Sequence, residues 1–261
     1  TNLRPPAREA RMMTSLSRAE LASKIASEIA ASSEPGARLA RLLELAPGPA
    51  VFTTSFGLED QVLTHVIAAL DLPVELVTLD TGRLFQETIA LWAATERRYG
   101  LKVRAFLPDA AQLQALISQW GVDGFRSSVE ARLACCHVRK VVPLSTALAE
   151  ARIWITGLRA SQSPAREQVR LAEWDETHAL IKVSPLADWS RPAVIAFAQK
   201  HDLPLNELHA KGFASIGCAP CTRALAPGEP ERAGRWWWEA EGKKECGLHL
   251  RPPPAGLSAP A

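Results

Sequence analysis

Between Ala50 and Val183 the chain alternates short apolar runs with longer amphipathic stretches, and this limits its architecture more than any other feature. The runs Ala50–Thr54, Val74–Leu79, Lys102–Leu107, Ile153–Thr156 and Ala179–Val183 have the length and composition of strands. Helical patterns lie between or after them: Leu58–Leu70, Leu84–Tyr99, Ala110–Trp120, a stretch through Cys135-Cys136 to about Ala149, and Ala193–His201. Strands separated by helices of this length predict an α/β fold, a mostly parallel sheet with flanking helices. Upstream, Ser17-Arg18-Ala19-Glu20 is a capping box opening one helix, and a second near Ala37–Leu45 stops at Pro47-Gly48-Pro49. Beyond about Leu203 the periodicity gives way to glycine, proline, charge and Trp236-Trp237-Trp238, a run that reads as an anchor for a loop-rich tail. The expected organisation is an N-terminal helical extension (1–48), an α/β domain (49–205) and a C-terminal segment (206–261).

A net charge of +2 over 261 residues, with 47% hydrophobic residues, describes a globular chain with no bulk charge to attract nucleic acid. No apolar run reaches membrane-spanning length, so no membrane partner is expected. An odd cysteine count, a CxxC and no export signal predict a reducing, cytoplasmic setting.

The five cysteines fall as an adjacent pair, Cys135-Cys136, a CxxC, Cys218-Ala219-Pro220-Cys221, and a lone Cys246 in Glu245-Cys246-Gly247-Leu248-His249. A CxxC presents two sulfurs to one metal centre from a single turn. Helical neighbours project about 100° apart, which is awkward for one tetrahedral zinc ion but acceptable to the separate corners of an iron–sulfur cube. The alternative is four buried, reduced cysteines without metal.

In a parallel sheet, ligands sit at the C-terminal strand ends, and three loops fall there. Thr53-Thr54-Ser55-Phe56-Gly57-Leu58-Glu59-Asp60 joins the first strand to its helix, with Ser55 and Gly57 placed to meet an anion, although the Gly-Lys-Ser/Thr ending of a Walker A loop is missing. Leu79-Asp80-Thr81-Gly82-Arg83-Leu84-Phe85 offers Asp80 to a ribose or an adenine amine. Thr156-Gly157-Leu158-Arg159 puts Arg159 at a strand exit.

This ordered set, completed by CCHVRK, CAPC and ECGLH, resembles the assimilatory adenylyl-sulfate reductases of the adenylyl-sulfate and phosphoadenylyl-sulfate reductase family, over roughly Val51 to His249. The resemblance implies an adenine nucleotide α-hydrolase-like fold, whose ATP pyrophosphatase members grip pyrophosphate with Ser-Gly-Gly-x-Asp-Ser. Here Phe56, Leu58 and Glu59 add bulk and negative charge to that stretch, which favours one phosphate near the loop over a triphosphate.

The implied activity is reduction of adenylyl sulfate to sulfite and AMP, in sulfate assimilation and cysteine biosynthesis, through an enzyme S-sulfocysteine. The resemblance makes Cys246 the nucleophile and thioredoxin, or a glutaredoxin-like protein, the reductant. It assigns Cys135, Cys136, Cys218 and Cys221 to a [4Fe–4S] cluster, and Lys140, Arg159, Arg232, Arg235 and His249 to substrate binding beside Ser55, Gly57 and Asp80. A homo-oligomer is compatible with this reading. The alternatives are a phosphoadenylyl-sulfate reductase, an ATP-dependent sulfurtransferase acting on tRNA, and a non-catalytic iron–sulfur nucleotide-binding protein. For the last, a lone C-terminal thiol has no use.

Overall fold

A computed structural model of the chain describes residues 17–239 together with Glu245 and Leu248. Six strands form one sheet in the order β3-β2-β1-β4-β6-β5. They are β1 (Ala50–Thr53), β2 (Val74–Leu79), β3 (Arg104–Phe106), β4 (Ile153–Ile155), β5 (Ala172–Asp175) and β6 (Leu180–Val183). All pairings are parallel except β5 with β6. Strand β5 is the element that the alternating pattern does not reveal; its Trp174 and Asp175 are only partly buried, as suits an edge strand.

The helices are α1 (Arg18–Ile29), α2 (Pro35–Leu45), α3 (Leu58–Ala69), α4 (Gln86–Tyr99), α5 (Ala110–Trp120), α6 (Val129–Cys136), α7 (Val142–Ala147) and α8 (Arg191–Lys200). At the start of α1, the Ser17 hydroxyl accepts from Glu20 N and the Glu20 carboxylate accepts from Ser17 N, the reciprocal box expected there. The single helix expected through the cysteine pair is instead divided. Between α6 and α7 the backbone widens into a π-helical turn over His137–Val141. Pro143 has no N–H to give to the ladder and crowds the carbonyl four residues back, which accounts for the break.

Alternate strand residues face opposite layers. Phe52, Ile153 and Ile155 pack in one core with Val62, Leu63, Leu91 and Val194, while Val51, Val77 and Trp154 pack on the other face with Leu144 and Leu148. Ile25, Ile29, Leu39 and Leu42 belong to the first of these cores, so the described part of the N-terminal helices is packed into the sheet domain. Arg38, 2% exposed, ties α2 to the loop after β6 by donating to both Asp188 carboxylate oxygens and to the Pro185 carbonyl. No helix among the described residues is long and apolar enough to cross a membrane.

Candidate active site

Strand order reverses between β1 and β4, since the chain runs from β1 outward to β3 on one side and from β4 to β6 on the other. A crevice opens at such a switch point. Here it is a cavity of about 190 Å³ lined by the loops after β1, β2 and β4 and by the C-terminal segment.

The β1 loop is held in a demanding conformation. Phe56 adopts a left-handed backbone (φ 59°), and its buried ring stacks on Trp92 with centroids 5.7 Å apart. Ser55 and Gly57 line the cavity, yet their donors already serve Asp60. One Asp60 oxygen accepts from Ser55 N at 2.7 Å, Ser55 Oγ at 2.8 Å and Gly57 N at 3.3 Å. Burial pushes the Asp60 carboxyl up to about 6 despite these bonds. The loop after β4 presses against this acid: a Cβ on Gly157 would stand 2.2 Å from Asp60 Oδ1. Only a glycine permits that approach.

Two sequence candidates point elsewhere. Asp80 accepts the Gly82 N–H at 2.9 Å, closing its own turn, and stands outside the cavity lining. Arg159 is fully buried and bonded to Glu59 at 2.7 Å and to both oxygens of Glu231 at 2.9 and 3.0 Å. Burial opposes its charge, but the two carboxylates hold the guanidinium firmly protonated. It joins the β1 and β4 loops to the C-terminal segment and, unlike the cations described next, stands outside the cavity lining.

Among the described residues, four cations do line the cavity: Lys140, Arg166, Arg232 and Arg235. Arg166 was not among the sequence candidates. It lies seven residues beyond Arg159 on the same strand exit, where a 3-10 turn beginning at Pro164 swings it back. Lys140 enters from the π-helical turn. Arg235 lies over Gly217, where a Cβ would come within 2.2 Å of its Nη2. His209, also unassigned from sequence, lines the cavity with Nδ1 donating to the Phe213 carbonyl at 2.7 Å; burial holds its imidazole below the usual range.

The four cysteines of the two pairs line one small cavity with Arg83, Arg139 and Lys140, and Cys218 borders the large cavity too. None of the four forms a disulfide. The loop after β2 grips the CxxC: Thr81 Oγ1 lies 3.3 Å from Cys218 Sγ, and Ala219 N donates to Arg83 O at 2.8 Å. A Thr222–Arg235 bridge fastens the same turn to the arginine–tryptophan run. Burial raises the Cys135 thiol and, aided by Cys218, raises that of Cys221 to about 11. Burial acts the same way on Cys218, but Lys140, Thr81, Arg235 and Arg139 outweigh it and hold that thiol below its ordinary value.

Among the described residues no three Cys, His, Asp or Glu groups are gathered as a single metal ion would need. Four thiols around one space instead have the donor chemistry of an iron–sulfur cube. Three buried donors at this place, Trp236 Nε1, Arg139 Nε and Arg235 Nε, lack a hydrogen-bond partner among the described residues, and a sulfide-rich group would supply acceptors. Trp236, 1% exposed, packs against Phe125, Cys136, Cys218 and Cys221, as befits an anchor. Cys246 and His249 lie outside the described residues, as do Lys243 and Lys244; Glu245 and Leu248 both line the large cavity.

The chain matches the phosphoadenosine phosphosulfate reductase domain over residues 49–224. It is 53% identical over 203 residues to the adenosine 5'-phosphosulfate reductase of Agrobacterium fabrum, covering 78% of each chain. To the enzyme of that name from Allochromatium vinosum it is 52% identical over 201 residues, 77% of this chain and 78% of the relative. The crystal structure of phosphoadenylyl-sulfate reductase from Candida auris, a phosphate complex, superposes with a TM-score of 0.66 at 25% identity, covering 80% of this chain and 98% of that one.

Proposed function

Because the chain belongs to the phosphoadenosine phosphosulfate reductase family, and shares 53% identity with relatives named for adenosine 5'-phosphosulfate, we propose that it reduces adenylyl sulfate to sulfite and AMP in sulfate assimilation. The observation that carries this reading is the convergence of Lys140, Arg166, Arg232 and Arg235 on one cavity, beside Cys218 and beside Glu245, the residue covalently before Cys246. Adenylyl sulfate carries adjacent phosphate and sulfonate groups, and guanidinium and ammonium groups suit both.

In this mechanism the Cys246 thiolate attacks the sulfonyl sulfur. A sulfur–sulfur bond forms, the sulfur–oxygen bond to phosphate breaks, and AMP departs with that bond's electron pair. Lys140, Arg232 and Arg235 hold the oxygens on which charge develops. Lys243 and Lys244, just ahead of Cys246 in sequence, favour its thiolate, and His249 follows closely enough to serve the same substrate. A dithiol protein, thioredoxin or a glutaredoxin-like equivalent, then attacks the Cys246 sulfur and releases sulfite. Its second thiol resolves the mixed disulfide, so two thiols become one disulfide and supply both electrons. A cytoplasmic setting keeps that dithiol reduced.

Cys135, Cys136, Cys218 and Cys221 would hold a [4Fe–4S] cluster. When bound, it would brace the C-terminal segment against the π-helical turn and add its field beside Lys140. Both electrons already come from the dithiol, so this chain's residues need no electron relay.

The test is the mass of the protein after adenylyl sulfate is added without reductant. One SO₃ unit should appear on Cys246 with one AMP released, and reduced thioredoxin should remove it as sulfite. Cys246→Ser should bind the nucleotide and form no adduct. An adduct on another residue, or sulfite from the serine variant, overturns the mechanism. Turnover of adenylyl sulfate beside its 3'-phosphorylated analogue distinguishes the two substrate readings.

A further inference from the structure

Glu245 is 6% exposed and is held from three directions. Its carboxylate accepts from Arg166 Nε at 2.9 Å, Arg166 Nη2 at 3.1 Å and Arg232 Nη2 at 3.1 Å. Its main-chain carbonyl accepts from Arg132 Nη1 at 2.9 Å. The three arginines come from separate parts of the fold: Arg166 from the loop after β4, Arg232 from the C-terminal segment, and Arg132 from α6, the helix that ends in Cys135 and Cys136. Arg132 is itself 2% exposed, pairs with Glu239 through Nε, and lies 4.7 Å from the Trp236 ring.

Burial alone would raise the Glu245 carboxyl, but Arg166, Arg232 and Arg235 hold it below the usual carboxylate range. The cavity meant for an anionic substrate therefore already contains a fixed negative charge. In electrostatic terms this works against substrate binding, since it occupies two of the four lining cations.

We propose that Glu245 is a positioning residue, which fastens the chain to Arg166, Arg232 and Arg132 so that the next residue, Cys246, is presented to the sulfonyl group. This rests on the reading of Cys246 as nucleophile. Consecutive Cα atoms are about 3.8 Å apart, so a hold on Glu245 at both side chain and carbonyl acts directly on the residue bonded after it. Orientation of this kind reaches the rate of attack, where a displacement near 1 Å can cost about a hundredfold. Arg166 and Arg232 thereby serve twice, toward the substrate and toward the chain that carries the nucleophile. Arg132 links the same point to the cysteine-bearing helix.

The experiment uses Glu245→Gln and Glu245→Asp in the full-length, cluster-loaded protein. It measures the single-turnover rate of SO₃ adduct formation at saturating adenylyl sulfate, and nucleotide affinity by calorimetry in the Cys246→Ser background. Glu245→Gln should slow adduct formation about 30-fold without weakening affinity by more than about threefold, and Glu245→Asp should recover part of the rate. Arg132→Lys should slow the same step with affinity kept, which a purely structural loss would not separate. An unchanged adduct rate in Glu245→Gln overturns the proposal. So does tighter nucleotide binding at an unchanged rate, which would make Glu245 a competitor. If the parent itself forms no adduct on Cys246, the nucleophile reading has failed; a parent that forms it and a Glu245→Gln variant that matches it sink this inference alone.

Discussion

The loops after β1 and β4 and the segment beyond Leu203 line the same cavity by different means. The strand-end loops are set by the sheet. Their backbones leave β1 and β4 in fixed register, Phe56 is wedged on Trp92, and Gly157 lets one loop touch the other. Among its described residues the later segment has only short 3-10 turns and one β-bridge, and it is arranged by charge and sulfur: Arg132 with Glu239, Arg166 and Arg232 with Glu245, and the CxxC beneath Thr81. The difference teaches where function can be adjusted. The first wall is fixed by the sheet, whereas the second depends on ion pairs and on the proposed cluster, which conditions can change.

The largest effect should come from removing a sulfur. Cys136→Ser or Cys218→Ser should lose iron and acid-labile sulfide and abolish sulfite formation, while AMP binding measured by calorimetry persists. Loss of AMP binding together with the cluster would break the comparison, because the sheet wall would then depend on the cofactor. Next, alanine at Arg232, Arg235 or Lys140 should lower kcat/KM for adenylyl sulfate about ten- to a hundredfold, roughly 1.5–3 kcal/mol per charge-assisted contact, with folding intact. Parent-like kinetics in all three would place the phosphosulfate elsewhere.

Smaller effects probe the first wall. Gly157→Ala forces a methyl group to within 2.2 Å of Asp60 Oδ1 and should cost about 1–3 kcal/mol in denaturant unfolding. A parent-like midpoint would show that the two loops yield easily. The smallest expected effect is a pH dependence. The Asp60 carboxyl is raised to about 6 from an ordinary 3.8, so the folded state binds its proton more tightly than the unfolded one. Its contribution therefore rises as pH falls through the folded value and is lost again as pH climbs. Relative to Asp60→Asn, the parent should gain about 1 kcal/mol of stability between pH 7 and 5. A difference independent of pH would mean that Asp60 is ionised throughout.

Local pattern was sufficient for the elements whose identity depends on periodicity. Five strands, the capping box at Ser17 and the helices around the sheet were legible because the helices bury one face at a helical period and most of the strands are short apolar runs covered on both faces. Strand β5 was not, since a partly solvated edge strand carries a weak alternation and owes its place to pairing with β6. The π-helical turn escaped for a related reason: Pro143 marks a break in the ladder but not which residues absorb it.

At the site, spacing alone marked the two cysteine pairs, while Lys140, Arg232 and Arg235 were marked only by the resemblance to a known family. Partnership was a tertiary decision. Nothing local distinguishes Arg159 from Arg166: both pair with distant carboxylates, Arg159 with Glu59 and Glu231 and Arg166 with Glu245, but folding buries the first completely and leaves the second lining the cavity. The same holds for Asp60, which takes the N–H groups that an anion would otherwise meet, and for Glu245. A charge is defined by its sequence, but whether it meets substrate or protein is settled by what folding places within about 3 Å of it.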